Sequence, residues 1–195
     1  MDAAPLDADR ALHETRAWVE HAVIGLNLCP FAKAVQVKQR IRYVCSDARD
    51  TAALREALRD ELQRLGNTPM GEVETTLLVH PWVLGDFIDY NDFLDEADAL
   101  LRELRLDGTL QIASFHPHYQ FAVTELDDID NATNRSPYPT LHLLREASIE
   151  RSVAAFPEAE AIYETNMRTL RSLGPKGWAE LQARCLRDAL GGGAS

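Results

Sequence analysis

Apolar positions recur at two periods along this chain of 195 residues, and the switches between them outline its elements. Leu12, Thr15, Val19, Ala22, Val23 and Leu26 keep a helical spacing that Cys29 extends, until Pro30 stops it by pushing the preceding residue out of the helical region. Leu54, Leu58, Leu62 and Leu65 mark a second helix, closed by Gly66-Asn67. Tyr90, Phe93, Leu94, Ala97, Leu100, Leu101 and Leu104 form the inner stripe of a third, with Asp92, Asp95, Glu96 and Asp98 mostly on its solvated faces. Between these helices fall three short runs of strand composition: Ile41 to Cys45, Thr75 to His80 (ended by Pro81) and Leu110 to Phe115.

Strand, helix, strand, helix, strand at these spacings suits right-handed crossovers. The predicted fold is therefore a single α/β layered domain, residues 1–190, with a mainly parallel three- or four-stranded sheet packed by helices. An α+β ferredoxin-like antiparallel sheet is the alternative. Tyr119 to Glu125 suggests a short antiparallel strand, and Pro139 suits the first turn of a helix running through Ser152. Two further helices are predicted, from about Glu158 to Leu173 and from Pro175 to Leu190, before a flexible tail at 191–195.

Charge changes the picture of partners more than that of fold. Acidic residues outnumber basic ones 31 to 20, a formal net charge of −11, so the long-range field repels nucleic acid and anionic lipid surfaces. Lysine occurs only at Lys33, Lys38 and Lys176, and arginine supplies the other cations. Three widely spaced cysteines, Cys29, Cys45 and Cys185, form no Cys-x-x-Cys pair, which argues against a zinc ribbon or a disulfide framework. The first residues lack the basic and apolar regions of a secretory signal, and no apolar run is long enough to span a bilayer. A cytoplasmic location is the expectation; oligomeric state is left open.

The chemistry concentrates between Ser114 and Glu146. His80-Pro81 and His116-Pro117 each end a predicted strand, and Cys45 ends another. Were these strands parallel, the three side chains would gather at the carboxyl edge, where open α/β sheets bind ligands. Either His-Pro step alone reads better as a stiff strand stop whose imidazole bonds a loop carbonyl; the pair together reads better as a site. His116 and His118 are candidates for proton transfer and His142 for orienting a partner or substrate, and all three for holding a divalent metal such as zinc or iron, although a structural site needs four ligands and a catalytic one three. On a helix, His142 would share a face with Glu146 and Arg145, the latter able to hold a carboxylate or phosphate. Arg135, Ser136 and Tyr138 precede that helix and, with its free backbone N–H groups, could converge on an anion; the competing reading is a stiff loop whose arginine caps a carbonyl. Cys29 is the leading nucleophile candidate, although a helix carboxyl end disfavours its thiolate.

Leu26-Asn27-Leu28-Cys29-Pro30-Phe31-Ala32, Ser114-Phe115-His116-Pro117, and Asn134-Arg135-Ser136-Pro137-Tyr138-Pro139 with Leu141-His142-Leu143-Leu144-Arg145-Glu146 resemble an uncharacterised family, domain of unknown function 1415. The resemblance covers nearly the whole chain and implies no activity, cofactor or catalytic residue. From the residues, the expected function is an enzyme acting on a small anionic substrate, a carboxylate or phosphate, by hydrolysis or group transfer. Arg135, Arg145, Ser136, Tyr138 and His80 would bind, His116 or His118 would move protons, His142 would orient and Cys29 would attack. The alternative is a noncatalytic anion- or metal-binding module.

Overall fold

The computed structural model describes residues 6–155 and 161–191. Helix α1 (Ala8–Trp18) begins at Asp7, whose carboxylate accepts the Arg10 N–H, and continues without a break into a π-helical segment, Val19–Ile24. The wider winding shows in the Gly25 N–H, which reaches the carbonyl of Glu20 five residues back at 3.0 Å. Only glycine fits there: a Cβ on Gly25 would lie 2.2 Å from the His21 carbonyl oxygen. The helical path therefore ends at Ile24, and Cys29 lies in the bend that leads to a short helix, α2 (Ala32–Val37), absent from the sequence reading.

Strand β1 (Ile41–Cys45), α3 (Thr51–Asn67), β2 (Thr75–Val79), α4 (Phe87–Glu103) and β3 (Leu110–Phe115) follow the expected order. Asp50 and Asp86 cap α3 and α4 by accepting backbone N–H groups of their first turns. The sheet itself differs from the expectation. Its order is β1-β2-β4-β3, where β4 is Thr140–Arg145, and β1 with β2 is its one parallel pair; β4 runs antiparallel to both neighbours. The segment expected to be a helix from Pro139 to Ser152 thus divides into β4 and a helix, α5 (Glu146–Ala155). Leu141 and Leu143 alternate with His142 and Leu144, a period of two that buries the first pair fully and the second in part.

One buried cluster unites Leu54, Leu58, Leu62 and Leu65 of α3 with Tyr90, Phe93 and Leu100 of α4 and with Leu78, Leu141 and Leu143 of the sheet. On the opposite sheet face, Tyr43 and Leu77 pack with Trp18, Val19, Leu170 and Trp178. The last two belong to α6 (Ile162–Gly191), which turns sharply at Gly174 (φ 69°) ahead of Pro175, the break expected between two C-terminal helices. Glu158 and the tail residues 192–195 lie outside the described residues. Tyr119 to Glu125 forms a looped, turn-rich segment in place of a strand.

Tyr90 pins the end of the β3–β4 pair. Its hydroxyl donates to the Thr140 carbonyl at 2.9 Å and accepts the Phe115 N–H at 3.1 Å, so one phenol satisfies two backbone groups of facing residues. Because β4 opposes both β2 and β3, strands β1, β2 and β3 share one direction, and their carboxyl ends lie along one edge.

Candidate functional site

That edge carries Cys45, His80 and His116, with Tyr90 between the two imidazoles at ring-centroid distances of 5.8 Å from His80 and 5.0 Å from His116. His116 is fully buried. Its Nδ1 accepts the N–H of His118 at 3.0 Å, which leaves Nε2 as the protonated nitrogen donating to the Leu84 carbonyl at 3.1 Å. Leu84 presents that carbonyl from a left-handed conformation, φ 57°. With both nitrogens engaged and burial lowering its pKa, His116 is a neutral brace between two loops. His80 is equally buried; its Nδ1 meets the Val83 carbonyl at 3.2 Å and burial pushes its pKa down to about 4. Its Nε2 has no hydrogen-bond partner among the described residues. His118 is exposed, its ring 5.8 Å from that of His116.

His142 is not with them. In mid-strand it faces Phe115, at a ring distance of 6.0 Å, and its Nε2 lies 2.7 Å from the Thr75 hydroxyl. That hydroxyl spends its own proton on the Leu143 carbonyl at 2.6 Å, so His142 Nε2 is the donor, and burial lowers the imidazole pKa. The helical face expected to join His142 with Arg145 and Glu146 does not exist, because His142 and Arg145, three apart on β4, point to opposite faces and Glu146 already begins α5. Among the described residues, no group of three or more His, Cys, Asp or Glu is placed to hold a metal ion.

The proposed anion clamp is likewise taken up by the chain itself. Arg145, almost wholly buried, donates to the carbonyls of Leu65 (2.7 Å), Thr68 (2.6 Å) and Val73 (3.2 Å), closing the carboxyl end of α3. Arg135 donates to the carbonyls of Tyr119 and Leu126 and clips the 119–126 loop, the carbonyl-capping role that competed with anion binding. Ser136 donates to the Tyr138 carbonyl at 2.6 Å, and no helix begins at Pro139 to supply free N–H groups. The Tyr138 hydroxyl donates to Glu14, a buried carboxylate that also accepts Arg10 Nε at 2.8 Å; burial and this carboxylate raise the phenol pKa. The thiols are not activated. Burial raises the pKa of Cys29, partly offset by the N–H groups of Phe31 and Ala32, and burial with Asp47 and Asp7 pushes Cys45 up to about 11.

The opposite edge of the sheet holds a cavity of about 400 Å³, lined by residues from three separated stretches of chain. Pro30, Phe31, Ala34 and Val35 supply an apolar wall. Lys38 closes α2, Arg40 and Glu74 stand just before β1 and β2, and Arg151 and Ser152 come from α5. Glu74 lies between two guanidinium groups, 3.9 Å from Arg40 and 3.4 Å from Arg151. Among the described residues that line it, three cations against one carboxylate make this a basic concavity in a strongly acidic chain. None of the residues singled out in the sequence as binding or catalytic lines it. Lys38 had stood out only for the rarity of lysine, and Arg40, Glu74 and Arg151 carry no sequence signal.

The model of one family, described as a protein of unknown function (DUF1415), matches residues 10–180. No curated protein and no solved structure matches the chain.

Proposed function

The chain belongs to the DUF1415 family, and from that premise we propose that its function is to bind a small anionic molecule, a carboxylate or phosphate, in the cavity at the amino edge of the sheet. The observation that carries this reading is the inversion of charge: Lys38, Arg40 and Arg151 face one concavity with Glu74 as the single acid among the described residues that line it, on a chain of net charge −11. Such an excess of positive charge in a concave site attracts an anion, and guanidinium groups suit oxyanion geometry. The overall negative field disfavours nucleic acid and anionic membranes as partners. Among the described residues, no helix is long and apolar enough to cross a membrane.

Binding has more support than catalysis. Of the imidazoles expected to take part in catalysis, His116, a proton-transfer candidate, and His142, an orienting one, are committed to internal hydrogen bonds, and His118 alone is exposed. A catalytic reading rests on His118 at the carboxyl edge, far along the strands from the basic cavity. A metal-binding module has less support still, since its three candidate histidines are divided between the sheet face and the edge.

The test is calorimetric titration of the full chain with inorganic phosphate at low ionic strength, for the parent and for the double variant Lys38→Gln, Arg151→Gln. Saturable binding that weakens with added salt and is lost in the variant is expected. Both side chains are exposed, so the variant should keep its melting temperature. Equal binding by parent and variant would overturn the proposal, as would a parent that binds neither inorganic phosphate nor an organic carboxylate or phosphate ester.

A further inference from the structure

We infer that the ligand of this cavity is a phosphate monoester carrying an apolar or aromatic body, an inference that rests on the anion-binding reading above and narrows it. The lining is divided in kind as well as in charge. Pro30, Phe31, Ala34 and Val35 form a continuous apolar stretch of the wall, supplied by the turn before α2 and by its first two turns, whereas the charged groups come from the strand entrances and from α5. An inorganic anion has no use for that apolar wall. A ligand with an organic body would remove its own apolar surface and part of the wall from water.

The charge count points to the head group. Among the described residues that line the cavity, Lys38, Arg40 and Arg151 minus Glu74 leave two positive charges, which match a phosphate monoester dianion and exceed what a single carboxylate neutralises. Glu74 has a second role in this arrangement. Its two oxygens face Arg40 and Arg151 separately, Oε2 towards Arg40 Nη1 and Oε1 towards Arg151 Nη2, so it is an internal anion competing with the ligand for both guanidinium groups. Arg151 is further held by the Ser148 hydroxyl at 3.2 Å, which keeps its side chain over the cavity mouth. Glu74 thereby sets the affinity for an incoming dianion without touching any reacting group.

Three probes separate these statements: phenyl phosphate, benzoate and inorganic phosphate, each titrated calorimetrically into the full chain. Phenyl phosphate is expected to bind about tenfold tighter than inorganic phosphate, the gain expected from burying part of one ring. It should also exceed benzoate by a similar factor. Glu74→Gln should tighten phenyl phosphate binding several-fold while leaving the benzoate-to-phosphate order unchanged, and Arg151→Gln should weaken it. Equal affinity for phenyl phosphate and inorganic phosphate, or for phenyl phosphate and benzoate, overturns this inference and leaves the anion site standing. Weaker binding by Glu74→Gln overturns the competing role of that carboxylate and with it the charge count. Failure of all three probes to bind overturns both the inference and the function it narrows.

Discussion

Replacing Arg145 by methionine separates a structural role from a ligand-binding one. The side chain keeps an unbranched apolar stem, is shorter and loses every donor, leaving the carbonyls of Leu65, Thr68 and Val73 without the guanidinium that now satisfies them. Each buried carbonyl so stranded costs on the order of 1 kcal/mol or more, which gives about 3 kcal/mol for the three. With a urea dependence of about 2 kcal/mol per molar, the unfolding midpoint should fall by roughly 1.5 M. Because Arg145 faces the α3 side of the sheet, lines no part of the basic cavity and is linked to it only through the charge of Glu74, phosphate affinity of the folded fraction should change only by a few-fold and binding should persist. Equilibrium urea unfolding followed by tryptophan fluorescence measures the first quantity, and titration calorimetry below the transition the second. A variant that unfolds at the parental midpoint but no longer binds phosphate would refute the argument and restore Arg145 as an anion anchor.

Acidification should weaken the fold through its buried imidazoles. His80, near 6.5 when unfolded and about 4 when folded, binds its proton more readily in the unfolded chain, so its contribution is full above pH 6.5 and is lost as pH falls towards 4. A urea midpoint that drops between pH 7 and pH 5, with a shallower drop in His80→Phe, is expected; a flat profile would sink the idea. Gly25→Ala should destabilise by about 2 kcal/mol or more, although the same change in an ordinary helix stabilises, because its methyl would meet the His21 carbonyl; a raised melting temperature would contradict the π-helical geometry. Arg135→Met should leave the melting temperature within a few degrees of the parent yet speed amide exchange across residues 119–128, measured by hydrogen-exchange mass spectrometry; unchanged exchange would show that the loop does not depend on its clip.

The helices that could be read from the sequence carry their information locally. α3 shows its leucine stripe, and Asp50 and Asp86 stand where N-caps belong. β4 hides because Thr140-Leu141-His142-Leu143-Leu144-Arg145 satisfies both periods, with leucines one turn apart and leucines at alternate positions, and Pro139 ahead of it suits a helix start. Pairing with residues more than sixty positions away on β2 settles the matter, and no local signal encodes that. The error spread to the site, since the helical neighbours of His142 and the N–H groups after Pro139 existed only on the helix. The shared edge of Cys45, His80 and His116 survived, because it needs only a common direction for β1, β2 and β3. The basic cavity was invisible for a different reason: Lys38, Glu74 and Arg151 are scattered, ordinary surface charges until the sheet closes.

The position of β4 also dictates an order of events during synthesis. β1, α3 and β2 can pair and pack once the chain has emerged to Val79, but β2 and β3 have no direct contact as neighbours, and the strand that joins them comes later than both. Until Arg145 leaves the ribosome, two unpaired strand edges face each other across an empty lane, the kind of template on which foreign strands add. Chains ending before Thr140 should therefore be sticky fragments, whereas chains reaching just past Arg145 can fill the central lane and leave only β1 and β3 as edges, so the last strand inserted is expected to be the keystone of nascent-chain folding.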